Sequence, residues 1–250
     1  MDLTGQVAIV TGGTRGAGLG IARRLHEAGA QVLVCGRSAP AAELPFAFVQ
    51  ADVREPDQAA GVVEEAVRRF GRLDLAVNNA GGGPSVPADD VKPNLATSIV
   101  RLNLLAPFFV AQAAAAAMRA TGGGQIINIS SVSATRPAPG TAVYAAAKAG
   151  LNTLTQALAL EWAPAVRVNA ITVGVLRTED NEHHYGDEAA LAAVAATVPL
   201  GRMATPEDVA DACLLLASPL AGYVTGANLV LDGGGQIPAF ATALAASRSA

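Results

Sequence analysis

The sequence predicts a doubly wound α/β fold: a parallel sheet of about seven strands with helices on both faces. Three observations carry that expectation. Short apolar runs alternate with helical patterns along the chain. The runs show no internal polar alternation, as expected of strands buried on both faces. Glycine-rich turns follow the first and fourth runs, at 11–18 and 78–83; the ligand crevice of such a sheet lies at the carboxyl ends of its strands, near the point where strand order reverses.

In order, strand one is 7–10, followed by the turn Thr11-Gly12-Gly13-Thr14-Arg15-Gly16-Ala17-Gly18 and a helix over 19–28 closed by Gly29. Strand two is 32–34, ending at Cys35-Gly36-Arg37, and strand three is 46–49. Only residues 38–45, two of them proline, separate these strands. Parallel strands normally need a crossover of a dozen residues or more, so the intervening helix is expected to be lost or cut to one turn, leaving the adenosine end of a bound nucleotide less covered. A helix over 57–70 precedes strand four, 73–77; a helix over 94–120 precedes strand five, 125–130. The helix carrying Tyr144 and Lys148 runs to Trp162, strand six is 166–172, another helix starts at Pro206, and strand seven is 228–231.

The 250 residues, 51% hydrophobic and 15% charged, suffice for one well-buried domain or two small ones. No linker, repeat or low-complexity tract divides them, so one domain is expected over 1–235, with a tail at 236–250. A net charge of −4 without a basic block argues against nucleic acid as a partner. Cys35 and Cys213, far apart in apolar runs, read as buried thiols in a reducing compartment. The N-terminus lacks the pattern of a signal peptide, and no apolar run reaches membrane-spanning length, the alanine run 113–117 being short and flanked by Gln112 and Arg119. A soluble cytoplasmic protein, without a membrane partner, is expected.

Tyr144 and Lys148, four apart on a helix, share one face. A phenol has an ordinary pKa of about 10, and a fixed ammonium nearby would pull it toward the range useful for acid–base work. Ser131 could hold a substrate oxygen beside it. The bland alternative is a surface helix with a half-buried tyrosine.

The first glycine turn, following a strand and opening a helix, suits a dinucleotide, whose pyrophosphate would meet the helix N-terminus. Gly12, Thr14, Arg15, Gly18 and Leu19 are its candidate contacts. An acid normally ends strand two to hold the ribose hydroxyls of NAD. Here Gly36 stands there, followed by Arg37 and Ser38. Arg15, Arg37 and Ser38 around one spot favour a phosphate, so NADP(H) is favoured over NAD(H).

Thr11-Gly12-x-x-x-Gly16-x-Gly18, Asn78-Asn79-Ala80-Gly81, Ser131 and Tyr144-x-x-x-Lys148 together resemble the short-chain dehydrogenase/reductase family, with Ser131 thirteen residues before Tyr144. The resemblance covers roughly residues 5–235 and implies a Rossmann-type, NADP(H)-preferring oxidoreductase that interconverts a carbonyl and a secondary alcohol. It implies that Tyr144 is the acid in reduction and the base in oxidation, that Ser131 binds the substrate oxygen (Ser130 and Ser133 being off the spacing), and that Lys148 lowers the phenol's pKa and binds the nicotinamide ribose. Asn103 would support a proton-relay water. Asp52 and the Val53 backbone would hold the adenine; Asn79, Ala80 and Gly81 would lie along the adenosine ribose; Gly174, Leu176 and Thr178 would face the nicotinamide and pyrophosphate. Blandly read, Asn103 bonds backbone, Asp52 caps the next loop, and Thr178 starts a loop or helix. His183 and His184 point apart on a helix, and no metal site is expected.

Val173-Gly174 departs from the family's usual Pro-Gly and lacks proline's fixed φ. The helices over 94–120 and 145–162 are apolar nearly all round and need covering on every side; the resemblance implies a dimer or tetramer, a homotetramer in the fuller form. Segments 206–210 and 223–226 resemble the 3-oxoacyl-thioester (acyl-carrier-protein) reductase branch. Substrate choice is expected in the loop 177–198, whose acidic rim argues mildly against an acidic carrier protein. Small ketones, steroids, sugars and polyols stay open. A 3-oxoacyl-thioester reductase of fatty-acid type, a non-catalytic nucleotide-sensing regulator, and a relative using the same residues for epimerisation or dehydration are the alternatives.

Overall fold

The computed structural model describes residues 1–179, 185–238 and 247. Its seven strands are β1 (Val7–Thr11), β2 (Gln31–Gly36), β3 (Ala47–Gln50), β4 (Leu75–Asn78), β5 (Gly124–Ser131), β6 (Val166–Val173) and β7 (Asn228–Leu231). They form one sheet in the order β3-β2-β1-β4-β5-β6-β7, with parallel pairing throughout. Strand order reverses between β1 and β4, the two strands that feed the glycine turns. The sequence therefore places both turns on one crevice.

Strand periodicity divides the core into two layers. Ala8 and Val10 join Val32, Val34, Val77, Ile127 and Ile171 beneath α1 (Gly16–Glu27) and α7 (Pro206–Ala217). Val7 and Ile9 face the other way, with Leu33, Ile126 and Val168, under α2 (Pro56–Phe70), α4 (Ala106–Ala120) and α5 (Ala142–Trp162). α2 shows how the sequence sets such a helix: Ala59, Val62, Val63 and Ala66 make the buried stripe, Pro56 opens it and Gly71 closes it in the left-handed conformation at φ 81°. At α7, Thr205 accepts from the Asp208 N–H while Asp208 accepts from the Thr205 N–H, a reciprocal cap that fixes the start of the helix.

No helix lies between β2 and β3, as the short crossover predicted. Leu44 and Phe46 pack against the core in its place. Ser38, Ala39, Pro40 and Ala41 line the adjoining cavity, so this loop forms a wall where less cover was expected. The loop after β6, read as irregular, contains a further helix, α6 (Glu188–Ala196), with Asp187 capping the Ala190 N–H. The residues 239–246 and 248–250 of the tail, and His183 and His184, lie outside the described residues.

The helix over 94–120 divides into α3 (Pro93–Val100), a π-turn at Arg101–Leu105 and α4. Taken together, Pro93–Ala120 is 28 residues, by length and composition long and apolar enough to cross a membrane; this corrects the expectation that no run reaches that length. Val110, Ala111, Ala114, Ala115 and Met118 bury one side of α4 in the core, the pattern of a core helix.

Candidate active site

Glycine makes close approach possible at the β1 turn. Gly12 has φ 65°, in the left-handed region. A Cβ on Gly18 would collide with the Gly12 carbonyl and with Asn79 Nδ2. Asn79 ties the two glycine turns together, donating from Nδ2 to the Thr11 carbonyl at 3.0 Å, while its own N–H and that of Ala80 donate to Thr11 Oγ1 at 3.0 Å. A cavity of about 570 Å³ runs across this junction, lined by Gly12, Thr14, Arg15, Gly18, Arg37, Ser38, Asp52, Val53, Asn79, Ala80 and Gly81. Of the predicted cofactor residues, Tyr144, Lys148, Gly174 and Leu176 line the adjoining cavity, and Leu19 and Thr178 line neither; Leu19 is held in the first turn of α1 by its N–H bond to the Arg15 carbonyl.

Asp52 is not a lone carboxylate. The Arg54 guanidinium donates to both its oxygens, at 2.5 to 3.0 Å, and holds its pKa below the ordinary value. Arg54 also reaches Ser98 at 3.3 Å. Arg54 was not singled out from sequence, although an arginine two residues after the acid is the signal for it. Gln50 donates to the Arg37 carbonyl at 2.9 Å and fixes the backbone at the end of β2.

The second cavity, about 400 Å³, shares Ala17, Asn79 and Gly81 with the first and continues past Ser131, Tyr144, Lys148, Val173, Gly174 and Leu176. β5 delivers Ser131 at its end and α5 delivers Tyr144 and Lys148 from its first two turns. Ser131 Oγ accepts from the Ser133 N–H at 3.2 Å. Lys148 is buried and donates from Nζ to the Ile129 carbonyl at 2.7 Å; its ammonium lies 5.8 Å from the centre of the Tyr144 ring. A Cβ on Gly81 would stand 3.0 Å from Asn103 Oδ1 and 3.2 Å from Lys148 Nζ, so all three meet at one point.

Asn103 is fully buried. Its Oδ1 accepts from the Gly82 N–H, and its Nδ2 donates to the carbonyls of Gly82 and Ile99, all at 2.9 Å. It sits in the π-turn, a feature common at functional sites. Pro107, four residues on, has no N–H to donate to the Asn103 carbonyl. That proline was the sequence signal for the turn.

The charges run against one expectation. Burial raises the Tyr144 phenol above its ordinary value, the Ser131 hydroxyl opposes that shift, and the Tyr185 phenol adds to it. Lys148 was expected to lower the phenol; burial instead sets the direction of its shift, and burial also lowers Lys148 itself to about 8. A neutral phenol beside a largely protonated ammonium is a proton donor. Tyr185, a half-buried wall of the cavity, and Thr141 and Ser85, which line its mouth, were not singled out from sequence, because chain positions outside the motif carry no spacing signal. Among the described residues no cluster of His, Cys, Asp or Glu could hold a metal ion.

The cradle fits a dinucleotide: glycine backbone at the first turn, guanidiniums at one end, and at the other a largely apolar cavity that holds Ser131, Tyr144 and Lys148. Residues 12–236 match a family model described as Enoyl-(Acyl carrier protein) reductase. The chain is 37% identical to the Bacillus subtilis protein named "Probable 2,4-dienoyl-CoA reductase [(2E)-enoyl-CoA-producing]", over 92% of this chain and 96% of that one. It is 37% identical to a 3alpha-hydroxysteroid dehydrogenase of Mediterraneibacter gnavus, over 93% and 98%. The ligand-free structure of Thermoplasma acidophilum aldohexose dehydrogenase superposes with a TM-score of 0.89 at 29% identity, over 93% of this chain and 94% of that one.

Proposed function

The chain belongs to the short-chain dehydrogenase/reductase family and is a carbonyl/alcohol oxidoreductase using a nicotinamide cofactor on a small molecule; from that premise we propose that it prefers NADP(H) and that Tyr144 is its acid–base group. The observation that carries the mechanism is the convergence of Ser131, Tyr144 and Lys148 on one cavity beside the nucleotide cradle, with Asn103 meeting Lys148 at Gly81. The cofactor supplies hydride when bound. Ser131 Oγ donates to the substrate oxygen and orients the carbonyl. Tyr144 Oη hands its proton to that oxygen in reduction and takes it back in oxidation. Lys148, anchored on the Ile129 carbonyl, keeps a positive charge near the phenolate that forms, and Asn103 holds the Gly82 backbone that frames the cavity.

Preference for the 2′-phosphate is supported by Arg15 and Arg37 lining the adenosine cavity, by Gly36 at the end of β2, and by Arg54 neutralising Asp52. Arg37→Ala is expected to weaken NADPH binding about 10- to 100-fold and leave NADH binding within about twofold, since a charge-assisted contact contributes about 1.5–3 kcal/mol; fluorescence titration checks it. Cytoplasmic residence is supported by two buried free thiols, Cys35 being pushed up to about 12 by burial.

The deciding experiment follows NADPH consumption with a 3-oxoacyl thioester and a set of small ketones, steroids and aldoses. Tyr144→Phe is expected to lose at least about a hundredfold in kcat, the usual worth of a positioned acid, while binding NADPH as before. Unchanged turnover in that variant would remove Tyr144 from the mechanism. Tight NADPH binding by wild type with no turnover on any of them would favour a nucleotide sensor.

A further inference from the structure

We propose that Glu179 is a latch on the cofactor groove: in the cofactor-free chain its carboxylate occupies the first-turn N–H of α1, and a dinucleotide must displace it to bind. This rests on the dinucleotide reading above.

The Gly16 N–H donates to Glu179 Oε1 at 2.7 Å, across 163 residues of sequence. Gly16 is the first residue of α1, and it lies in the glycine turn where a pyrophosphate is expected. The neighbouring Thr178 methyl is 3.7 Å from where a Cβ on Gly16 would stand. The 178–179 step thus comes down on the turn at the junction of the two cavities, which meet at Ala17. Its position also follows from the fold. Leu176 forms a parallel bridge with Ala204, and the Arg177 N–H donates to the Ala204 carbonyl at 2.8 Å. That pins the start of the loop two residues before the carboxylate.

The chemistry makes the contact competitive. A first-turn N–H on a twelve-residue helix, with the positive end of the helix dipole behind it, favours a carboxylate and a phosphate for the same reason. One N–H cannot serve both in full, and a pyrophosphate arriving beside a carboxylate is repelled by it. Arg177, two residues before it in sequence, is paired with Glu188 at 2.7 Å. Cofactor arrival therefore has to free Glu179.

The test measures NADPH binding to the full-length wild type, Glu179→Ala and Glu179→Gln by stopped-flow nicotinamide fluorescence, and the hydrogen exchange of the Gly16 amide in the cofactor-free proteins. Glu179→Ala is expected to bind NADPH about fivefold more tightly, mainly through faster association, and to exchange the Gly16 amide faster; fivefold corresponds to about 1 kcal/mol, the net worth of a hydrogen bond. Glu179→Gln, which keeps an acceptor without the charge, should fall between. Equal or weaker NADPH binding by Glu179→Ala, or an unaltered Gly16 exchange rate, overturns the latch while the dinucleotide reading stands. No NADPH binding by any of the three overturns that reading, and the latch with it.

Discussion

Lys148 shows how one buried side chain in the proposed catalytic set carries a cost in stability. Its ammonium is enclosed, with the Ile129 carbonyl as its hydrogen-bond partner, and burial lowers its pKa from 10.5 to about 8. The folded value lies below the unfolded one, so the charged form costs stability at neutral pH. That cost is relieved as pH rises from about 8 toward 10.5, where the unfolded chain still binds a proton that the folded chain has released. Between pH 7 and pH 10 wild type should gain about 2 kcal/mol relative to Lys148→Met, read as a narrowing or reversal of their denaturant midpoints. Parallel stability profiles for the two proteins would mean that Lys148 is hydrated. The same variant should lose at least about a hundredfold in kcat if the ammonium supports Tyr144. Gly81 belongs to the same argument, because any side chain there would press on both Lys148 and Asn103.

The long helix over Pro93–Ala120 is where element and site are one problem. An unbroken α-helix would set Asn103 by 3.6-residue periodicity alone. Instead the π-turn shifts the register, with the Ala106 N–H reaching the Arg101 carbonyl five residues back, and Asn103 meets both backbone groups of Gly82. Pro107→Ala restores the missing N–H and should draw the turn toward α-register. The expected result is a kcat lower by about tenfold or more, consistent with small misplacements of catalytic groups, at unchanged or higher helix stability. Unchanged kcat would show that Pro107 does not hold Asn103 in place. The helix itself was legible from sequence, as were the seven strands, because apolar runs and glycine turns report buried strands directly. The interruption was not read, although Pro107 within the helical stretch was its signal. Nor was α6, whose Glu188–Ala196 stretch is mostly alanine and presents no polar face to set its period. In the site, the Ser131, Tyr144 and Lys148 set was legible through spacing. The Arg54 clamp on Asp52 and the Tyr185 wall were not, because they depend on which loops the fold brings together. The direction of the Tyr144 shift was missed for a related reason: local charge can be read from sequence, whereas depth of burial cannot.

At the scale of the whole molecule, the sheet is covered on both faces, yet large apolar side chains remain in water. Leu160 on α5 is 85% exposed, Leu220 82%, and Tyr223 fully so; Leu200, Leu215 and Val230 are also exposed. Leu160 lies one turn from the end of a helix whose Leu151 and Leu158 are buried, so its face is an outer one. Leu200, Val230 and Tyr223 lie around β7, the edge strand, on a second side. Exposed apolar groups distributed singly need no explanation, whereas two separate groups on a helix face and a sheet edge fit an assembly with two kinds of interface, as in a tetramer of two-fold symmetry. Wild type is therefore expected to sediment as a dimer or tetramer. Leu160→Asp, which places a charge on the α5 face, should halve the assembly while Val230→Asp at the sheet edge acts on the other contact. Because Tyr144 and Lys148 lie on the same helix as Leu160, loss of the α5 interface should also lower kcat. A wild type that sediments as a monomer at micromolar concentration would remove the premise, and a monomeric Leu160→Asp with full activity would separate assembly from catalysis.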